Sequence, residues 1–284
     1  MLKKIFFAAA LLLASELIAK PVVIASIAPV EYLAKAVGGD KIEVQSLAKG
    51  DVHSYEPKPN DMKAVAKARI FIAAGLEFEE AWIPRFKASA KNLVVVKSDA
   101  KIAKLKEERG EQTEHDEKHE AHADPHVWLN PMLAITMARN ISDALIDMDK
   151  ANKDFYLENF QKLMNDLLAF DESAKNELAG LKNRKFVVYH PAWGYFAAHY
   201  DLEQISIERS GKEPKIDEMA STLKMIKDEN IKVIFADPNR SQKSAQILAS
   251  QTGAKVELLD PLGYNLLENL KIAVRAIKDA NSPK

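Results

Sequence analysis

Two rhythms of apolar residues run along this chain. Short β-branched clusters alternate with stretches whose apolar positions recur every three or four residues. The first cluster is PVVI at 21–24. APVEYLAKAVGGD follows, with Val30, Leu33, Ala34 and Val37 on one helical face and Gly38-Gly39 as the stop. KIEVQSLA at 41–48 alternates like a half-buried strand. A loop over 49–60 carries Gly50, Pro57 and Pro59. Asn60 or Asp61 is placed to cap a helix over DMKAVAKA. RIFIA at 69–73 is strand-like and ends at Gly75, and 93–96 is a further β-branched run.

Residues 110–124 break the rhythm. They are polar and charged, almost without large apolar side chains, and read as a mobile loop. A helical pattern resumes at Pro131. From about 152 to 181 one amphipathic pattern continues through Phe155, Leu157, Phe160, Leu163, Met164, Leu167, Leu168 and Phe170, with no Pro or Gly before Gly180. About thirty helical residues span about 45 Å, more than a helix inside one small domain needs, so the segment reads as a strut between two. The second half then repeats the first: strands at 186–189, 205–207, 233–236 and 256–259, helices from Trp193, over 215–229, over 241–252 and over about 264–279. Strands that alternate with helices predict parallel sheets covered on both faces.

The N-terminus has a third pattern. In MLKKIFFAAALLLASELIAKP two lysines precede an apolar run from Ile5 to Ala14, then small residues lead to a polar restart at Lys20. This is the layout of a secretory signal, ending at about Ala19, although Leu17 is not the usual small residue near a cleavage site. The run is short for a retained membrane anchor, the alternative reading. The expected division is a signal at 1–19, an N-terminal α/β lobe at 20–149, a linker helix at 150–181 and a C-terminal α/β lobe at 182–284.

Composition narrows the function. The 284 residues hold 40 Lys and Arg against 41 Asp and Glu, which argues against a nucleic-acid binder. The absence of cysteine excludes disulfides, thiolate metal sites and a lipid anchor on an N-terminal cysteine. An exported, soluble protein of the bacterial periplasm is expected.

Ligands of open α/β sheets bind beyond the carboxyl ends of the strands. Four metal-capable side chains stand out on that criterion. His53 lies in the loop after 41–48, His126 precedes VWLNP, His190 follows FVVY and Asp260 follows VELL. Three imidazoles and one carboxylate make a coherent tetrahedral set for zinc. Each has a plainer reading. A histidine after a strand also serves as a hydrogen-bonding loop residue, and Asp260 before Pro261 is an ordinary turn starter. His199, beside Phe196 on a helix, reads as a helix-end or core histidine. His115, His119 and His122 have helical spacing but no apolar residues to hold them, so they read as a solvated loop or a weak collector of metal ions.

Taken together, GDVHSYEPKPND, DPHVWLNP, VVYHPAWGYFAAHYDL and VIFADPNRSQKSAQILASQTGAKVELLDPLG resemble, in this order, the zinc/manganese solute-binding proteins of bacterial ABC importers. This is the cluster A-I family, in its periplasmic zinc-binding branch, and the resemblance covers about 22–277. It implies two α/β lobes joined by one long rigid helix, with metal bound between them. By position it implies His53, His126, His190 and Asp260 as the four ligands. Manganese- and iron-selective relatives usually carry glutamate in the third place, whereas His190 matches the zinc branch. Val52 departs from members with an acidic residue before the first histidine.

The resemblance therefore implies a monomer that captures Zn(II) as its transported ligand and delivers it to an inner-membrane ABC permease, with no catalytic residues. Neutral imidazoles are needed, so weakening is expected as pH falls through about 6–6.5. Rival readings are the same role for Mn(II) or Fe(II), a periplasmic zinc hydrolase, and a surface adhesin. Three histidines with an open fourth position also make a catalytic zinc pattern, which Asp260 would close. No H-E-x-x-H and no nucleophile beside a base is visible.

Overall fold

The computed structural model describes residues 19–106, 123–208 and 216–281. The first lobe contains β1 (Val22–Ala25), α1 (Ala28–Gly38), β2 (Glu43–Ser46), α2 (Pro59–Val65), β3 (Ile70–Ala73), α3 (Glu77–Ser89), β4 (Val94–Lys97) and α4 (Pro131–Met148). The long helix α5 (Lys153–Leu178) follows. The second lobe contains β5 (Lys185–Val188), α6 (Gly194–His199), β6 (Glu203–Ser206), α7 (Ile216–Asp228), β7 (Val233–Ala236), α8 (Lys243–Thr252), β8 (Lys255–Leu258) and α9 (Leu266–Asn281). Among the described residues, no helix is long and apolar enough to cross a membrane.

Both sheets are parallel and share one plan. Their strand orders are β2-β1-β3-β4 and β6-β5-β7-β8. Each plan reverses direction beside its first strand, which is where an open sheet leaves a crevice for a ligand. The inner strands β3 (IFIA) and β7 (VIFA) are buried throughout, as strands covered on both faces must be. Edge strand β2 shows intermediate and exposed positions in alternation.

Alternation along a strand divides the apolar residues between two cores. Val23 and Ala25 of β1 face a central core, whereas Ile24 faces Val65 and Phe86 under α2 and α3. In the second lobe Phe186 and Val188 face the central core, and Val187 joins Ile226 and Leu248 under α7 and α8. The central core is continuous between the lobes because α5 runs through it. Its buried residues Tyr156, Phe160, Leu163, Leu167, Phe170, Ala174 and Leu178 repeat every three or four positions. That stripe packs against α1, α4 and α9. Twenty-six residues make a rod about 39 Å long.

Helix starts differ in detail from the sequence pattern. α2 begins at Pro59, and Asp61 reaches back from the third position to accept the Lys58 amide at 2.8 Å. α3 falls in a stretch the pattern left unassigned, because Pro84 and a run of charges obscure its face. Glu79 makes that helix possible. Its carboxylate accepts the amides of Ala74, Gly75 and Leu76 at 2.8, 2.8 and 3.0 Å. α4 starts as its sequence suggests, with Asn130 accepting the amides of Met132 and Leu133 ahead of Pro131.

Candidate metal centre

His53, His126 and His190 are 73 and 64 residues apart in sequence, yet the fold brings one ring nitrogen of each within 4.8 Å of the others. His53 sits on the loop after β2. His190 stands two residues past the end of β5. His126 is fixed between Pro125 and a 3₁₀ turn over Val127–Leu129. Trp128 in that turn is fully buried, which pins the chain next to the histidine.

The Nε2 atoms converge. His53 Nε2 lies 3.1 Å from His190 Nε2, which lies 3.4 Å from His126 Nε2. Nitrogens at about 2.0–2.1 Å from a tetrahedral zinc ion are about 3.3–3.4 Å apart, so the spacing fits such an ion.

Carboxylates behind the rings set their orientation. Asp124 Oδ1 accepts both the backbone amide of His126, at 2.9 Å, and its Nδ1–H, at 2.8 Å. Glu208 Oε2 stands 3.2 Å from His190 Nδ1. A carboxylate at Nδ1 assigns the ring proton to that nitrogen. Both Nε2 atoms are then lone-pair acceptors facing each other. Two lone pairs at hydrogen-bond distance repel unless a proton or a cation lies between them.

Burial disfavours the proton. It is the main cause that lowers the His53 pKa to about 4, with the His126 ring and the Arg240 guanidinium adding to it. Burial, followed by the two neighbouring rings, also holds His190 well below the usual imidazole range. His126 and His190 are buried, whereas His53 is exposed as a residue. Its ring edge is the part that enters the cluster, with ring centroids 5.5 and 4.9 Å from His126 and His190. A cavity of about 40 Å³, lined by Val52, His53, Glu77 and Pro125 among others, adjoins that ring and has room for about one water. A groove of about 640 Å³ lies between α5 and α9 and touches none of the three histidines.

Asp260 stands at the same end of the second sheet, two residues past β8. It is not among the groups within 4.8 Å of one another. Its Oδ1 accepts the Leu262 amide at 2.8 Å and the Asn239 side-chain amide at 2.9 Å. Val52 is buried in the central core. His199 ends α6 and meets Asp171 of α5 at 2.6 Å, so it ties the second lobe to the long helix. His115, His119 and His122 lie outside the described residues.

Asp124 lies in the same motif as His126, whereas the roles of the groups behind His190 and His53 are visible only in the fold. Glu208 accepts Nδ1 of His190 from 18 residues away, and Asp51 accepts the His53 amide at 3.1 Å. The strand-end criterion that selected His190 also applies to Glu208, just beyond β6.

Two parallel α/β lobes with three imidazole nitrogens converging between them define a cleft-type metal-binding protein. A family model described as ZnuA, zinc-uptake complex component A periplasmic, matches residues 23–280, and the chain belongs to that family. It is 30% identical over 279 residues to the high-affinity zinc uptake system protein ZnuA of Bacillus subtilis (strain 168), covering 91% of this chain and 86% of that protein. A crystal structure of ZnuA superposes with a TM-score of 0.87 at 35% identity, covering 93% of this chain and 100% of that one. A ZnuA variant lacking 138–173 in its own numbering, with zinc bound, gives 0.86 at 34% identity, covering 93% and 99%.

Proposed function

We propose that this chain captures Zn²⁺ between its lobes in the periplasm and delivers it to an ABC importer of the inner membrane. The observation that carries the reading is the convergence of three Nε2 atoms, two of them held as lone-pair donors to a metal by Asp124 and Glu208. Imidazole suits zinc better than manganese, which prefers carboxylate and carbonyl oxygen. The zinc-bound relative and the zinc uptake protein of Bacillus subtilis support the same cargo.

His53, His126 and His190 are the proposed ligands, and Asp260 the proposed fourth. Ligands from both lobes make binding and closure one event. The protein acts as a monomer, binds no nucleic acid and catalyses no reaction. Titration of the demetallated full chain with Zn²⁺ against a chelator of known affinity tests this. Each of His53→Ala, His126→Ala and His190→Ala should weaken binding by orders of magnitude, and Asp260→Ala decides between the carboxylate and water in the fourth position. Displacement of Zn²⁺ by an equal concentration of Mn²⁺ would contradict the zinc assignment. Ester or peptide turnover that disappears in His190→Ala would make it a hydrolase instead.

A further inference from the structure

One guanidinium lies behind two of the three histidines. Arg240 follows β7 in the second lobe, and its side chain is 15% exposed. Its Nη2 donates to Glu208 Oε1 at 2.8 Å, while the other oxygen of Glu208 faces His190 Nδ1. Its Nη1 reaches Asp51 Oδ1 of the first lobe at 3.5 Å. That same oxygen accepts the backbone amide of His53 at 3.1 Å, and Asp51 Oδ2 accepts the Ser54 hydroxyl at 3.2 Å. Arg240 thus touches the anion behind each of two histidines that come from opposite lobes.

His126 is held differently. Asp124 fixes its ring, and the Trp128 indole fixes its chain to Pro261 of the second lobe at 2.8 Å. His126 and His190 are a buried pair, and the chain beside His126 is already tied to the second lobe. His53 is the exposed member, on a loop with Gly50 at φ +87. The Arg240–Asp51 contact links that loop to the second lobe.

We propose that Arg240 is a positioning residue that latches the His53 loop across the cleft, and so sets how long a bound ion stays. The proposal rests on the zinc reading above. Its sign separates it from plain electrostatics. A cation near the site repels Zn²⁺, so by charge alone its removal would slow release. A latch predicts the opposite.

The test is zinc release from the loaded full chain into excess chelator, followed by stopped flow. Arg240→Gln should release zinc about tenfold faster or more, the range expected when a group behind a ligand is lost. Asp51→Asn keeps an oxygen for the His53 amide but loses the charge, and should also speed release. The double variant should be no faster than Arg240→Gln alone, because both changes break one contact. Arg240→Lys should recover part of the effect, since an ammonium cannot bridge two carboxylates as a planar fork does. Should Arg240→Gln not fold, Asp51→Asn, at a partly exposed carboxylate, decides in its place: release as slow as wild type overturns the latch. Unchanged or slower release from folded Arg240→Gln, or effects that multiply in the double variant, overturns it too. A wild-type chain that binds no zinc would remove both the latch and the zinc reading, whereas zinc binding with unchanged release removes the latch alone.

Discussion

The Trp128 indole N–H donates to the Pro261 carbonyl at 2.8 Å, joining the chain beside His126 to the turn that carries Asp260. The bond is buried and spans 133 residues of sequence. It ties the first lobe to the second next to the candidate ligand His126. Trp128→Phe keeps most of the apolar volume and orphans that carbonyl. It should cost about 1–3 kcal/mol, read by denaturant unfolding of the demetallated protein. Zinc affinity should fall far less than in His126→Ala.

Asp124 is the support of His126. Asp124→Ala should weaken zinc binding about 10–100-fold through loss of ring orientation. Equilibrium competition with a chelator measures this. An affinity equal to wild type would mean that Trp128 alone orients the ring.

Acid should release the ion at lower pH than ordinary histidines imply. Burial and neighbouring positive charge lower the His53 pKa to about 4, and His190 moves in the same direction. A lowered imidazole pKa means that protons compete weakly for the empty site. Proton competition at His53 should therefore be weak through the usual range near 6–6.5 and grow only as pH approaches about 4. Competition titrations stepped from pH 7.5 downward would show this, with a midpoint at about 6.5 as the contrary outcome.

Glu79 makes stability depend on pH. It is 2% exposed, and burial pushes its carboxyl pKa up to about 7 against the pull of three amides. A raised pKa means that the folded state holds the proton more tightly than the unfolded chain. This group's contribution is complete below about 4.5 and is lost as pH rises through about 7. Glu79→Gln should flatten that slope, whose full size is of order 3 kcal/mol. Urea unfolding of both proteins at pH 5 and pH 8 would test it.

Much of this molecule is legible in the sequence because its causes are local. β-branched runs and three-four apolar spacing specify the strands, the helices and the uninterrupted α5. Asp124 precedes His126 by two residues, so that pair is local as well. α3 is not legible because Pro84 and its charges hide the apolar face, and its cap is recognisable only once Glu79 is seen against the amides of 74–76.

What remained for the tertiary structure is what distance along the chain conceals. Strand ends nominate histidines, but only packing two sheets around α5 brings three Nε2 atoms to one point. Glu208 carries no motif, and Arg240 lies in one that gives no sign of its role, because its contact with Asp51 exists only where loops from two lobes meet. Periodicity records which face of an element is buried. The contacts between faces depend on how the lobes close, and that is a property of the whole fold.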